Sequence, residues 1–275
     1  MRLGLDVAQQ RLPWDEIVRR VQLAEELGFD GVWGFDHFQP MYGDGPGEVF
    51  EGMTTLAALS GVTSRIRLGL LVAGMTYRHP AVYAAQALTI DHASHGRLEM
   101  SFGAAWFDKE HDELGIPFPP ATERFDLLED ALEITARLFS GDVVDYAGER
   151  VSLKHAQLQP LPVQRPRPPI WVGGAGPRRT LPLVAKYADV WHSFGTPNSL
   201  REAYQRIDQL AAAAGRDPKS ILRAGSISLD DLDTSRKHAG KWRDAGYGYL
   251  VCAWPGAGAS QVEAFARDVM PEFTS

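Results

Sequence analysis

Apolar residues along this chain fall into two alternating rhythms. Short runs rich in Val, Ile, Leu and Trp alternate with longer stretches in which apolar positions return every three or four residues, so buried strands alternate with amphipathic helices. The first strand is Leu3 to Val7. A helix follows from Pro13 to Leu27, with Trp14, Ile17, Val18, Val21, Ala24 and Leu27 on one face and Gly28 placed to end it. Val32 to Phe35 reads as a strand, Gln39 to Glu51 as a long Gly- and Pro-rich loop, and Met53 to Thr63 as a helix. Ile66 to Val72 is a near-continuous apolar strand of the kind buried on both faces. Pro80 opens a helix to Ala93, Leu98 to Phe102 is a strand, 103–120 a loop and Ala121 to Phe139 a long helix.

Residues 141–168 break the rhythm, with a small hairpin over 143–153 and a Pro-rich connector from Pro160 to Pro169. Alternation resumes with strands Ile170–Val172, Val190–His192, Ile221–Ser228 and Tyr249–Ala253. Helices Pro177–Tyr187, Leu200–Ala214, Ser235–Ala245 and Gln261–Val269 separate and follow them. Eight strands each followed by a helix imply a parallel sheet, and that number favours an α/β (β/α)8 barrel, one domain over 1–275, over an open doubly wound sheet.

In such a barrel the chemistry lies just after each strand. Reading those positions gives Asp36 and His37 after the second strand, Ala73 to Arg78 after the third, and Gly103 to Phe107 after the fourth. Gly173 to Pro177 follow the fifth and His192 to Phe194 the sixth. The set is rich in glycine and aromatics and poor in charge, which suits a flat ring ligand. His37 could move a proton near neutral pH, with Asp36 orienting it or a ligand hydroxyl; a structural pair capping a strand end is the plainer alternative. Gly173-Gly174-Ala175-Gly176 before a helix at Pro177 could cradle a phosphate with backbone N–H groups, or serve only as a tight turn. Arg178 and Arg179 could pair with that phosphate or be solvated. Arg78 could pair with an acid beneath the pocket, His79 precedes a helix, and Glu110-His111 reads as a salt bridge at a helix start. Trp106 and Phe107 could wall a ring or close the barrel mouth.

Composition narrows the partners. The chain of 275 residues carries 28 Lys and Arg against 35 Asp and Glu, a net charge of −7 without a long basic run, so a nucleic-acid partner is not expected. Its one cysteine, Cys252, precludes an internal disulfide and fits a buried strand position in a reducing cytosol. The N-terminal residues are too polar for a signal peptide, and no apolar run reaches the ~20 residues of a membrane helix, so a soluble cytoplasmic protein is expected. No H-E-x-x-H-like spacing occurs, and no metal is expected.

Taken together, Gly34-Phe35-Asp36-His37-Phe38, Tyr77-Arg78-His79-Pro80, Gly103-Ala104-Ala105-Trp106-Phe107 with Glu110-His111, Gly115-Ile116-Pro117-Phe118-Pro119 and Gly173-Gly174-Ala175-Gly176 give the chain a resemblance over nearly its whole length. It resembles the luciferase-like monooxygenase superfamily, in the branch that uses the deazaflavin coenzyme F420. The resemblance implies a barrel with an insertion, here 141–168, and hydride exchange between F420 and a small organic substrate. His37 would assist the proton, and Asp36 would touch the ring or hold the histidine. A cis peptide near Leu71-Val72 would back the ring, with Ala73, Gly103, Ala104, Ala105 and Trp106 around it and the phosphate tail on the strand-five glycines. Specificity would rest on Gln39 to Glu51, 141–168 and Phe194 to Ser199. A homodimer through the early helices is implied. FMN with oxygen chemistry, or a non-catalytic F420-binding protein, are the rival expectations.

Overall fold

The computed structural model describes residues 1–274. Its strands are β1 (Arg2–Asp6), β2 (Gly31–Gly34), β3 (Arg67–Leu70), β4 (Leu98–Phe102), β5 (Val144–Ala147), β6 (Ser152–Ala156), β7 (Ile170–Gly173), β8 (Val190–His192), β9 (Leu222–Ser228) and β10 (Tyr249–Ala253). The helices are α1 (Trp14–Glu26), α2 (Gly52–Ser60), α3 (Pro80–Ala93), α4 (Asp108–Leu114), α5 (Ala121–Leu138), α6 (Thr180–Tyr187), α7 (Arg201–Ala213), α8 (Leu232–Asp244) and α9 (Ala259–Asp268). Eight strands close a parallel barrel in the order β1-β10-β9-β8-β7-β4-β3-β2, while β5 and β6 stand apart as an antiparallel hairpin. The (β/α)8 expectation holds.

Two layers of apolar packing follow from strand alternation. Outward residues such as Leu3, Leu5, Val32, Leu68 and Leu98 meet the buried stripes of the helices, for example Ile17, Val21 and Ala24 of α1. Inward residues fill the barrel: Trp33, Trp171, Tyr249, Val190, Ala224 and Val251. The Trp33 and Trp171 rings lie 4.0 Å apart, and Trp33 Nε1 donates to Tyr249 Oη at 3.1 Å. Trp171 Nε1 donates to the buried Glu99 at 2.7 Å, and Glu99 also accepts from Arg67. Gly69 makes room for this plug, since a Cβ there would lie 2.4 Å from the Trp33 ring. Aromatic side chains fill the barrel from within, so its interior is a packed core and not a pore.

Several boundaries move. The helix expected from Pro177 begins at Thr180, and the loop at 103–120 contains the short α4. The insertion is tied to the barrel's flank. Asp130 of α5 accepts from the Arg150 and Val151 amides and from Tyr146 Oη, and Asp91 of α3 accepts from the Val163 and Gln164 amides. Cys252 is buried on β10.

Candidate active site

Strand β2 ends in a fixed geometry. The buried Gln9 side chain takes both backbone groups of Phe35, donating to its carbonyl at 2.6 Å and accepting its N–H at 3.1 Å. Just beyond the strand, Asp36 and His37 find different partners. Asp36 receives both Arg78 guanidinium nitrogens, at 2.6 and 2.7 Å, and the Gly74 amide at 2.8 Å. Arg78 also reaches Glu51 at 2.9 Å. The sequence expectation of an acid for Arg78 is met. Asp36, however, does not orient His37; it locks the segment after β3 to the end of β2.

The partner of His37 is Glu110. His37 Nδ1 lies 2.6 Å from Glu110 Oε1, and Oε2 accepts from the Phe38 amide at 2.8 Å and the Gln39 amide at 3.2 Å. Tyr77 Oη also donates to Glu110. Burial opposes the charge on Glu110, but hydrogen bonds from His37, Tyr77 and the Phe38 amide outweigh it and hold the carboxyl below the usual carboxylate range. Burial, then Glu110, pushes the Tyr77 phenol far up, so it stays a donor. A carboxylate facing Nδ1 fixes the tautomer with its proton there and leaves Nε2 as the basic nitrogen. The Phe35, Tyr77, Trp106 and Phe107 rings surround the imidazole at centroid distances of 5.4 to 6.3 Å.

Glu110 is the site residue that sequence reasoning missed. The expected helix-start salt bridge between Glu110 and His111 does not form. His111 instead lies 2.7 Å from Thr76 Oγ1 and from the Phe107 carbonyl oxygen, and stacks on Tyr77. It pins the segment after β3, while Glu110 faces the site.

One cavity of about 360 Å³ opens at the C-terminal ends of the strands and gathers most of the expected residues: Asp36, His37, Leu71, Val72, Gly103 to Trp106 and Gly173 to Gly176. The Leu71–Val72 peptide is cis, as the resemblance implies, and Ala105 has φ +56°. Ala73 does not reach the cavity; it is fully buried, with its amide on Ser101 Oγ. No residue of 39–51 or 141–168 lines it either, which leaves Phe194 as the one lining residue from the three expected specificity segments.

The glycine turn is held from β8: Gly174 donates to the His192 carbonyl at 2.9 Å, and Trp191 Nε1 donates to the Gly174 carbonyl at 2.7 Å. Gly174 sits at φ +107°. The Ala175 and Gly176 amides have no acceptor among the described residues, and the first turn of α6 has no side-chain cap. Bare N–H groups beside a helix start, with Thr180 at the wall, make an anion cradle. Arg179 is turned away to Asp126 on α5 at 2.6 Å, and Arg178 is exposed outside the lining.

Across the cavity, His192 lies 2.9 Å from Ser226 Oγ, and burial pushes its pKa down to about 4. A histidine depressed in the fold contributes stability that is complete above its ordinary pKa of 6.5 and is lost as pH falls toward 4. Relative to His192→Gln, the wild type should lose roughly 3 kcal/mol of unfolding free energy between pH 7 and pH 4. Urea unfolding at each pH measures this, and a pH-independent difference would show that the imidazole charges freely.

The fold is a (β/α)8 barrel with a cavity at the C-terminal ends of its strands, and comparison with known proteins gives the family. Residues 1–245 match the model of the luciferase-like monooxygenases, and the chain belongs to that family. It is 34% identical over 245 residues to an F420-dependent glucose-6-phosphate dehydrogenase of Microbacterium testaceum, a match covering 89% of this chain and 65% of that protein. It is 27% identical to an F420-dependent hydroxymycolic acid dehydrogenase of Mycobacterium tuberculosis, covering 88% of this chain and 66% of the relative. The chain thus spans about two thirds of these relatives' length. Among solved structures, an F420-dependent secondary alcohol dehydrogenase in complex with an F420-acetone adduct superposes with TM-score 0.90 at 19% identity, covering 100% of this chain and 99% of that one. The monooxygenase RslO1 from Streptomyces bottropensis gives 0.83 at 18%, with both chains covered fully. At these identities the superpositions establish the fold. No helix among the described residues is long and apolar enough to cross a membrane.

Proposed function

We propose that this protein is an oxidoreductase exchanging hydride between coenzyme F420 and a small organic substrate. The observation that carries the reading is the pairing, around one cavity, of a histidine with a fixed tautomer and a set of turn amides without a protein acceptor among the described residues. The residues fit the cofactor. Leu71, Val72 and the Gly103–Ala105 backbone would hold a flat ring, and Ala175, Gly176 and Thr180 its phosphate-bearing tail. When bound, F420 supplies the hydride chemistry. The chain handles the proton: His37 Nε2 takes it from an alcohol being oxidised or returns it to a carbonyl being reduced, and Glu110 stabilises the imidazolium formed in between. The F420 dependence named for the 34%-identical relative supports the same cofactor here. The homodimer implied by the resemblance belongs to this reading.

His37→Ala should leave the F420 dissociation constant within a few-fold of wild type while lowering kcat by about 10²-fold or more. Absorbance titration and single-turnover rates read the two quantities separately. Unchanged turnover would remove His37 from proton transfer, and F420 binding without turnover in the wild type would make the protein a carrier.

A further inference from the structure

The residues that would contact substrate in this cavity have an unusual charge inventory. No Lys or Arg among the described residues lines it. Its one carboxylate, Asp36, is consumed by Arg78, and His37 is tied to Glu110. His192 is buried, bonded to Ser226, and neutral at physiological pH because burial depresses it. Of the nearby cations, Arg124 and Arg179 are engaged elsewhere and Arg178 is exposed outside the lining. Arg124 donates to the Ala104 and Pro119 carbonyls while covering the Phe118 ring, and Arg179 pairs with Asp126. Arg201, just beyond the rim loop, belongs to a separate cleft with His238 and Lys241. An anionic substrate group would be desolvated here without a partner, which costs several kcal/mol. Among the described lining residues the anion-receptive feature is the glycine turn, and the cofactor tail would fill it.

The rim is also strongly apolar. Trp106 and Phe194 are 65% and 76% exposed, and these large hydrophobics both line the cavity. Each stands edge-on to a histidine: Trp106 to His37 at 5.8 Å, Phe194 to His192 at 5.1 Å. Aromatic rings left in water at a cavity mouth mark a surface that a ligand covers. Only three residues, Leu229 to Asp231, join β9 to α8, so no segment from that side shields them.

Resting on the F420 reading above, we propose that the substrate is an uncharged, predominantly apolar alcohol or carbonyl compound seated against Trp106 and Phe194, and that Phe194 is a specificity-determining residue. The chain therefore departs from the glucose-6-phosphate dehydrogenases it is related to, which are named for a phosphorylated sugar.

Calorimetric titration of 2-naphthol and of glucose 6-phosphate into the free and the F420-saturated protein tests this. The expected result is 2-naphthol binding at least about tenfold tighter than glucose 6-phosphate. Phe194→Ala should weaken 2-naphthol roughly tenfold, Phe194→Tyr should restore it, and the F420 dissociation constant should stay the same in all three proteins. Because Phe194 is exposed, its truncation does not threaten folding. Glucose 6-phosphate binding as tightly as 2-naphthol, or 2-naphthol binding indifferent to Phe194→Ala, would overturn the proposal. Failure of F420 to bind would sink the cofactor reading alone, since the response of 2-naphthol to Phe194→Ala on the free protein still decides the aromatic seat. Glucose 6-phosphate is judged on the F420-saturated protein, where the glycine turn is filled.

Discussion

Glu110→Gln is expected to lower kcat by about 10²- to 10³-fold while leaving the F420 dissociation constant within a few-fold of wild type. The substitution is isosteric, so the buried space around α4 is unchanged. One amide oxygen can still accept from the Phe38 and Gln39 N–H groups, as Oε2 of the carboxylate does now. The other end changes sign: where Oε1 accepts from His37 Nδ1 and Tyr77 Oη, an NH₂ group would donate. That forces the imidazole to put its proton on Nε2 and removes the basic nitrogen from the cavity. It also removes the negative charge that would stabilise the imidazolium. The signature is a fall in kcat with the pH profile displaced, and recovery in Glu110→Asp only in part because the shorter side chain cannot span to both partners. Loss of F420 affinity instead of turnover would mean that Glu110 shapes the ring site and not the histidine.

Gly174→Val is expected to weaken F420 by roughly 100-fold, or about 3 kcal/mol. Space is not the obstacle, because a Cβ at Gly174 would meet Thr180 Cγ2 at an ordinary 3.5 Å. The obstacle is φ +107°, which β-branched residues do not adopt. The turn must rearrange, and the Ala175 and Gly176 amides move with it. The deazaflavin riboside without its phosphate tail should bind wild type and variant alike, which assigns the loss to the tail. Equal loss for the tail-less riboside would place the effect in the ring wall, and undiminished F420 affinity would defeat the phosphate assignment.

The barrel was legible because strands buried on two faces and helices buried on one leave different periods along the chain, and eight such units close. The ends of the strands were legible for the same reason, so Asp36, His37 and the Gly173–Gly176 turn were placed at the rim from pattern alone. What pattern does not carry is which neighbour in space a side chain meets. Asp36 and His37 are adjacent in the chain and suggest a pair, yet one meets Arg78 and the other Glu110. Glu110 was hidden because α4 has seven residues, too few for a periodic signal, and its acid lies among Asp108, Asp112 and Glu113. The 141–168 excursion interrupts the rhythm, and its expected specificity role came from the resemblance. Its anchors, Asp130 and Asp91, lie on the helical layer and could be found only in three dimensions.

The central claim is that this cavity holds a deazaflavin. Absorbance titration of the purified protein with oxidised F420 and, separately, with FMN tests it most directly. Saturable F420 binding at least about tenfold tighter than FMN is predicted. FMN binding more tightly, or F420 failing to saturate, would contradict it.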